Sequence, residues 1–139
     1  MEFEEDIRHC LHILHQGGII LYPTDTIWGI GCDATNTEAV AKIYALKQRA
    51  ETQSMICLMN GEKMMYNVFK DIPEVAWQII DLSEKPTTLI LDNPRNVAAN
   101  LIAQDQTLGI RIVKDPFCFK LMERMKKPLV STSANISGQ

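Results

Sequence analysis

Two short segments far apart in the chain space their polar side chains in a way that suits chemistry: Lys47-Gln48-Arg49 and Ser131-Thr132-Ser133-Ala134-Asn135. In extended backbone successive side chains point to opposite faces, so Lys47 and Arg49 share one direction, and Ser131, Ser133 and Asn135 share another. Two fixed cations beside a row of hydroxyls and a carboxamide suit a ligand with several negative oxygens, most simply a nucleotide triphosphate. A third segment, Tyr22-Pro23-Thr24-Asp25-Thr26-Ile27-Trp28-Gly29-Ile30-Gly31-Cys32-Asp33-Ala34, leaves the first apolar run with hydroxyls, a carboxylate and two glycines. Ligands of open α/β sheets bind beyond such strand ends. The segment is no dinucleotide fingerprint, because Gly29-Ile30-Gly31 lacks the third glycine and no helix opens directly behind it. No Walker-type phosphate loop exists either, so side chains must hold any triphosphate.

The elements that would position these groups follow from periodicity. Ile7, Cys10, Leu11 and Leu14 recur at helical spacing within residues 4–16, and Gly17-Gly18 stops them. Ile19 to Tyr22 is a continuous apolar run that suits a strand buried on both faces. Thr35, Asn36 or Thr37 caps a second helix with Val40, Ile43, Tyr44 and Leu46 on one side and Lys47 at its C-terminal end. Met55 to Met59 reads as a strand, Gly61 to Lys70 as a helix, and Pro73 to Leu82 as a helix with Val75, Ile79 and Leu82 in its repeat. Thr87 to Leu91 is a strand, Asn96 to Ile102 a short helix, and Leu108 to Val113 a strand. Pro116 to Met125 is a helix capped by Asp115, and Leu129 to Ser131 a last strand. Interleaved strands and helices predict an α/β fold with a mixed or parallel sheet.

The 139 residues are enough for one domain, and 46% hydrophobic against 22% charged residues suits a packed core. A formal charge of −3 argues against gripping nucleic acid by bulk electrostatics. Lys114, Lys120, Arg124, Lys126 and Lys127 read as a solvated face. Cys10, Cys32, Cys57 and Cys118 lack CxxC spacing and read as reduced, mostly buried thiols. His9, His12 and His15 drift around a helix rather than converging, which disfavours a metal site. Trp28 and Trp77 read as core or cleft-wall residues. Apolar runs are strand-sized and the N-terminus is acidic, so a cytoplasmic location is expected.

The Tyr22-to-Ala34 segment, Ala45-Leu46-Lys47-Gln48-Arg49, and Lys127-Pro128-Leu129-Val130-Ser131-Thr132-Ser133-Ala134-Asn135-Ile136-Ser137-Gly138 together closely resemble the YrdC family of threonylcarbamoyl-AMP synthases. Leu108-Gly109-Ile110-Arg111-Ile112 is similar to the family's central Val-Arg strand. The resemblance runs from about Gly17 to Gln139. It implies a twisted α/β sheet with an open cleft, also similar to dihydroxybutanone-phosphate synthase. The whole of 1–139 is then one YrdC-like domain, lacking the family's C-terminal segment.

The implied reaction joins L-threonine, bicarbonate or carbon dioxide, and ATP into threonylcarbamoyl-AMP with release of pyrophosphate. A threonylcarbamoyltransferase complex then modifies adenosine 37 of tRNA. The resemblance assigns the signature tetrad to Lys47, Arg49, Ser133 and Asn135. It adds Thr88 and Ser131 to the ATP contacts, and gives threonine to Thr24 and to Arg111, the latter by bidentate pairing with the carboxylate. Mg²⁺ is expected only as the counter-ion of ATP, with no tightly bound cofactor. Two other readings use the same fold: a non-catalytic double-stranded RNA or tRNA binder, and a carbamoyl-adenylate paralogue. The sequence departs from the family pattern at Ala50, Ser54-Met55 and Ser83-Glu84-Lys85-Pro86.

Overall fold

The computed structural model describes residues 4–23, 28–47, 55–85 and 87–133, and for Pro23, Trp28 and Ser133 the backbone alone. Helix α1 (Glu4–His15) ends where Gly17 takes φ 77°, a left-handed turn that glycine adopts without steric cost. The hairpin β1 (Ile20–Pro23) and β2 (Trp28–Asp33) follows, then α2 (Thr37–Lys47) and β3 (Ile56–Met59). Helices α3 (Glu62–Val68) and α4 (Glu74–Leu82) lead to β4 (Leu89–Asp92). A single 3-10 turn (Ala99–Leu101), β5 (Thr107–Ile112), α5 (Pro116–Met125) and β6 (Leu129–Ser133) complete the described order.

Capping is local and legible. Asn36 Oδ1 accepts from the Ala39 amide at 2.9 Å, and Asp115 Oδ2 accepts from the Cys118 amide at 2.9 Å, each filling one of the unpaired donors that every helix start leaves. Asp33 closes the β2–α2 corner: its Oδ1 accepts from the Thr35 amide at 2.8 Å and from the Thr35 hydroxyl at 2.7 Å. Lys127 Nζ lies 3.5 Å from its Oδ2.

The sheet order is β1-β2-β6-β3-β5-β4, with β3–β5 parallel and the other pairings antiparallel. Alternation along the strands sends Cys32, Cys57, Ile110 and Val130 to one face, where they form a core with Val40, Ile43 and Tyr44 of α2 and with Met65, Val68 and Ala76 of α3 and α4. The other face sends Ile20, Tyr22, Leu58 and Leu129 against Ile7 and Leu14 of α1 and Leu121 and Met122 of α5. Each fully buried aliphatic side chain here contributes roughly 1.5–3 kcal/mol of transfer free energy. Arg124 pairs with Glu4 at 3.0 Å across α1 and α5, and the guanidinium's hydrogen bond and charge hold the Glu4 carboxyl below its usual range. Arg124 and Lys127, two of the clustered basic residues, are thus engaged with carboxylates.

Four expectations need correction. Strand β1 is an edge strand pairing with β2 alone among the described residues, and Leu21 is 60% exposed, because no helix covers that side of it. In α2 the i, i+3, i+4, i+7 stripe is Val40, Ile43, Tyr44 and Lys47, so Lys47 faces the sheet and Leu46, off the stripe, is exposed. Helix α4 is apolar on two sides; it turns Ala76, Trp77 and Ile80 inward and leaves Val75, Ile79 and Leu82 exposed. The short helix expected over Asn96 to Ile102 is only the 3-10 turn.

All four cysteines are thiols rather than disulfides. Burial, and then the Asp33 charge, push Cys32 up to about 12, and burial raises Cys57 as well. Half-buried Cys10 is raised by burial and by Asp6. A thiolate-selective reagent at pH 8 is therefore expected to reach Cys10 first and slowly, and all four only after denaturation, as counted by intact mass. Rapid labelling of Cys32 or Cys57 in the native protein would contradict this core.

Candidate active site

Strand β6 is paired on both sides, Ser131 lying between Gly31 of β2 and Ile56 of β3. Val130 belongs to the α2 side, so Ser131 looks toward the α1–α5 side with Leu129. Ser131 Oγ is hydrogen-bonded to Tyr22 Oη at 2.5 Å, two strands away. Burial drives the Tyr22 phenol far above its usual ionisation range, so it keeps its proton.

Farther along the same face, Arg111 of β5 sits beside Leu58 of β3. The β4–β5 register, extended by one residue, sets Thr88 opposite it, and Arg111 Nη2 donates to Thr88 Oγ1 at 2.9 Å. Arg111 Nε is buried and has no hydrogen-bond partner among the described residues. An unsatisfied donor of this kind costs about 1–3 kcal/mol unless a ligand fills it. The neighbouring Ile90 is 71% exposed and Gly109 carries no side chain, so α1 and α5 leave this end of the face open. A planar guanidinium with part of its donor fork unfilled on an open face is suited to a carboxylate.

The structure therefore brings Thr88 together with Arg111, and Tyr22 together with Ser131, on one face of the sheet. Lys47 does not share that face. It ends α2 on the opposite layer and is 2% exposed, at the end of the sheet to which α2 returns. It is helical, so the extended-backbone argument does not apply to it. Thr24, Arg49 and Asn135 lie outside the described residues, and only the backbone of Ser133 is described.

Two features escaped sequence reasoning. Gly29 and Gly31 lie within a strand, where a Cβ would come within 2.9 Å of the Tyr22 ring at either position. Glycine on one face of β2 is the cradle for that ring, and the period-two spacing of the pair was its signal in the sequence. A cavity of about 470 Å³ on the α3–α4 side is lined by Glu62, Glu74, Asp81, Tyr66 and Trp77. Trp77 donates to Tyr66 Oη at 3.3 Å there. Three carboxylates make that cavity the wrong place for a triphosphate.

Comparison with known proteins bears on this face. A model of the Sua5/YciO/YrdC domain, described as telomere recombination, matches residues 12–139. The chain belongs to the Sua5/YciO/YrdC family. Among Sua5/YciO/YrdC relatives, the threonylcarbamoyl-AMP synthase of Pseudoalteromonas translucida is 33% identical over 142 residues, covering 100% of this chain and 76% of its own. That of Halorhodospira halophila is 33% identical over 134 residues, covering 96% and 70%. The structure of P. abyssi Sua5 complexed with L-threonine superposes with a TM-score of 0.89 at 28% identity, over 98% of this chain and 40% of that one. E. coli YciO, 24% identical with a TM-score of 0.82, agrees in fold. The chain spans about three quarters of the first synthase and two fifths of the Sua5 chain.

Proposed function

We propose that this chain makes threonylcarbamoyl-AMP from L-threonine, bicarbonate or carbon dioxide, and ATP, releasing pyrophosphate. The product then passes to a threonylcarbamoyltransferase complex that modifies adenosine 37 of tRNA. The observation that carries the reading is the Arg111–Thr88 pair, with its unfilled guanidinium donor on an open face, in a family whose relatives are named for this reaction.

Threonine offers a carboxylate to Arg111, with Thr24 as the second amino-acid contact. Its amine, once carboxylated by carbon dioxide with loss of a proton, presents a carbamate oxygen to the α-phosphorus of ATP. That P–O bond forms as the bond to pyrophosphate breaks, and charge accumulates on the phosphoryl oxygens. Lys47, from the α2 layer at the end of the sheet, and Arg49 supply fixed positive charge for it, while Ser131 and Thr88, from the other face, hold nucleotide oxygens together with Ser133 and Asn135, the nucleotide lying across that sheet end. ATP arrives with Mg²⁺ as its counter-ion. The protein's work is to align three substrates and stabilise charge, and no side-chain nucleophile takes part.

Pyrophosphate release tests this directly. It is expected to require ATP, bicarbonate and L-threonine together, with other amino acids ineffective. Release with a different amine in place of threonine would mark a carbamoyl-adenylate paralogue. Salt-sensitive binding of double-stranded RNA with no turnover would replace the enzyme reading by the binding one. The Arg124–Glu4 and Lys127–Asp33 pairs already weigh against that outcome.

A further inference from the structure

Tyr22 is 1% exposed, yet its hydroxyl reaches across β2 to Ser131 on β6. Three features fix that reach. Gly29 and Gly31 remove the side chains over which the ring would otherwise ride, and Phe117 of α5 stacks on the ring at a centroid distance of 6.5 Å with a 25° tilt. The hydrogen bond ends on a part-buried serine on the proposed substrate face.

We propose that Tyr22 is a positioning residue that accepts nothing from substrate itself but locks the Ser131 hydroxyl as a one-way donor toward an anionic substrate oxygen. Either oxygen is placed to donate; a phenol is the better hydrogen-bond donor and an alkyl hydroxyl the better acceptor, and on that ground the proton of this contact is assigned to Tyr22. One lone pair of Oγ is thereby filled, and the serine's own proton is left to point out of the sheet. A serine hydroxyl without such a partner rotates freely and offers lone pair or proton alike. Held this way, it repels nothing from a phosphate or carboxylate oxygen and donates to it. The inference rests on the synthase reading, which supplies two candidate acceptors of the same chemistry: a phosphate oxygen of ATP and the carboxylate or carbamate of threonine.

The test is calorimetric titration of the full chain with ATP alone and with L-threonine alone, on Tyr22→Phe, Ser131→Ala and the double variant. Tyr22→Phe keeps the ring and its stacking and removes only the hydroxyl. It is expected to weaken one of the two ligands by roughly three- to tenfold, the scale of one hydrogen bond, and the ligand affected identifies the acceptor. The double variant is expected to be no weaker than Ser131→Ala. Gly29→Ala gives an independent route, because each of the three nearest atoms to its new Cβ belongs to the Tyr22 ring or hydroxyl, at 2.9–3.2 Å. It is expected to cause the same selective loss, and none in a Tyr22→Phe background. Unchanged affinities in Tyr22→Phe would overturn the proposal, as would additive losses in the double variant. Equal weakening of both ligands in step with a lower melting temperature would mark a purely structural tyrosine. If the parent chain binds neither ligand, the synthase reading itself fails; if the parent binds and Tyr22→Phe binds equally well, only the tyrosine's role does.

Discussion

Replacement of Lys47 by methionine is expected to cut the rate of pyrophosphate release at saturating substrates about a hundredfold or more while leaving the fold intact. The expected rate loss is that of removing one preorganised charge from a phosphoryl-transfer site, about 3–4 kcal/mol. What makes the prediction sharp is where the lysine sits. Positions 40, 43, 44 and 47 form the inward stripe of α2, and the first three are Val, Ile and Tyr. Helical periodicity would fill the fourth with leucine. A lysine in that place, 2% exposed, violates the local pattern and carries a desolvation cost that burial alone does not offset. Violations of this kind concentrate where function demands them. Methionine retains most of the apolar stem but removes the ammonium and whatever that ammonium contacts, so the melting temperature is measured beside the rate, and the rate loss is expected to persist at temperatures where the variant is fully folded. Alanine would also open a cavity and mix the two effects. A methionine variant that turns over at the parent rate would remove Lys47 from the reaction.

The legible part of this molecule was the local part. Asp115-Pro116 announced α5, and the Asn36 cap announced α2, because a capping side chain and the amides it serves are within a few residues of each other. The alternation of strands and helices gave the α/β class for the same reason. Choices made by distant partners were not legible. Helix α4 has apolar residues on two sides, and only the sheet decides that Ala76 and Ile80 go in and Val75 and Leu82 stay out. An apolar run such as Ile19 to Tyr22 does not reveal whether it will be central or at an edge. Tyr22 and Ser131 are 109 residues apart, and nothing near either of them announces the bond. The candidate site residues were read as types and spacings, whereas spacing alone could not group them. Lys47 and Ser131 looked like two halves of one hollow from spacing alone, and the structure sets them on opposite layers of the sheet.

Arg111 should show opposite effects on stability and on binding. Its Nε is buried and unpaired among the described residues, while Nη2 is committed to Thr88. Leaving such a donor unfilled costs about 1–3 kcal/mol, a cost the fold bears until threonine fills it. Arg111→Met keeps a long, flexible side chain beside Leu58 and removes the orphan. Its midpoint in urea without ligand is therefore expected to rise, by an amount equivalent to roughly 1 kcal/mol. Threonine binding is expected to move the other way. Losing a charge-assisted contact costs about 2–3 kcal/mol, so the affinity should fall roughly thirty- to a hundred-and-fiftyfold. Thermal stabilisation by threonine should vanish with it. Arg111→Lys separates charge from shape: it restores the cation without the planar fork, so binding should recover only in part. Thr88→Val, which leaves the guanidinium in place and removes the hydroxyl that orients it, should give a smaller loss than Arg111→Met. If Arg111→Met lowers stability and leaves threonine binding untouched, the arginine is a packing residue, and the carboxylate must be held elsewhere.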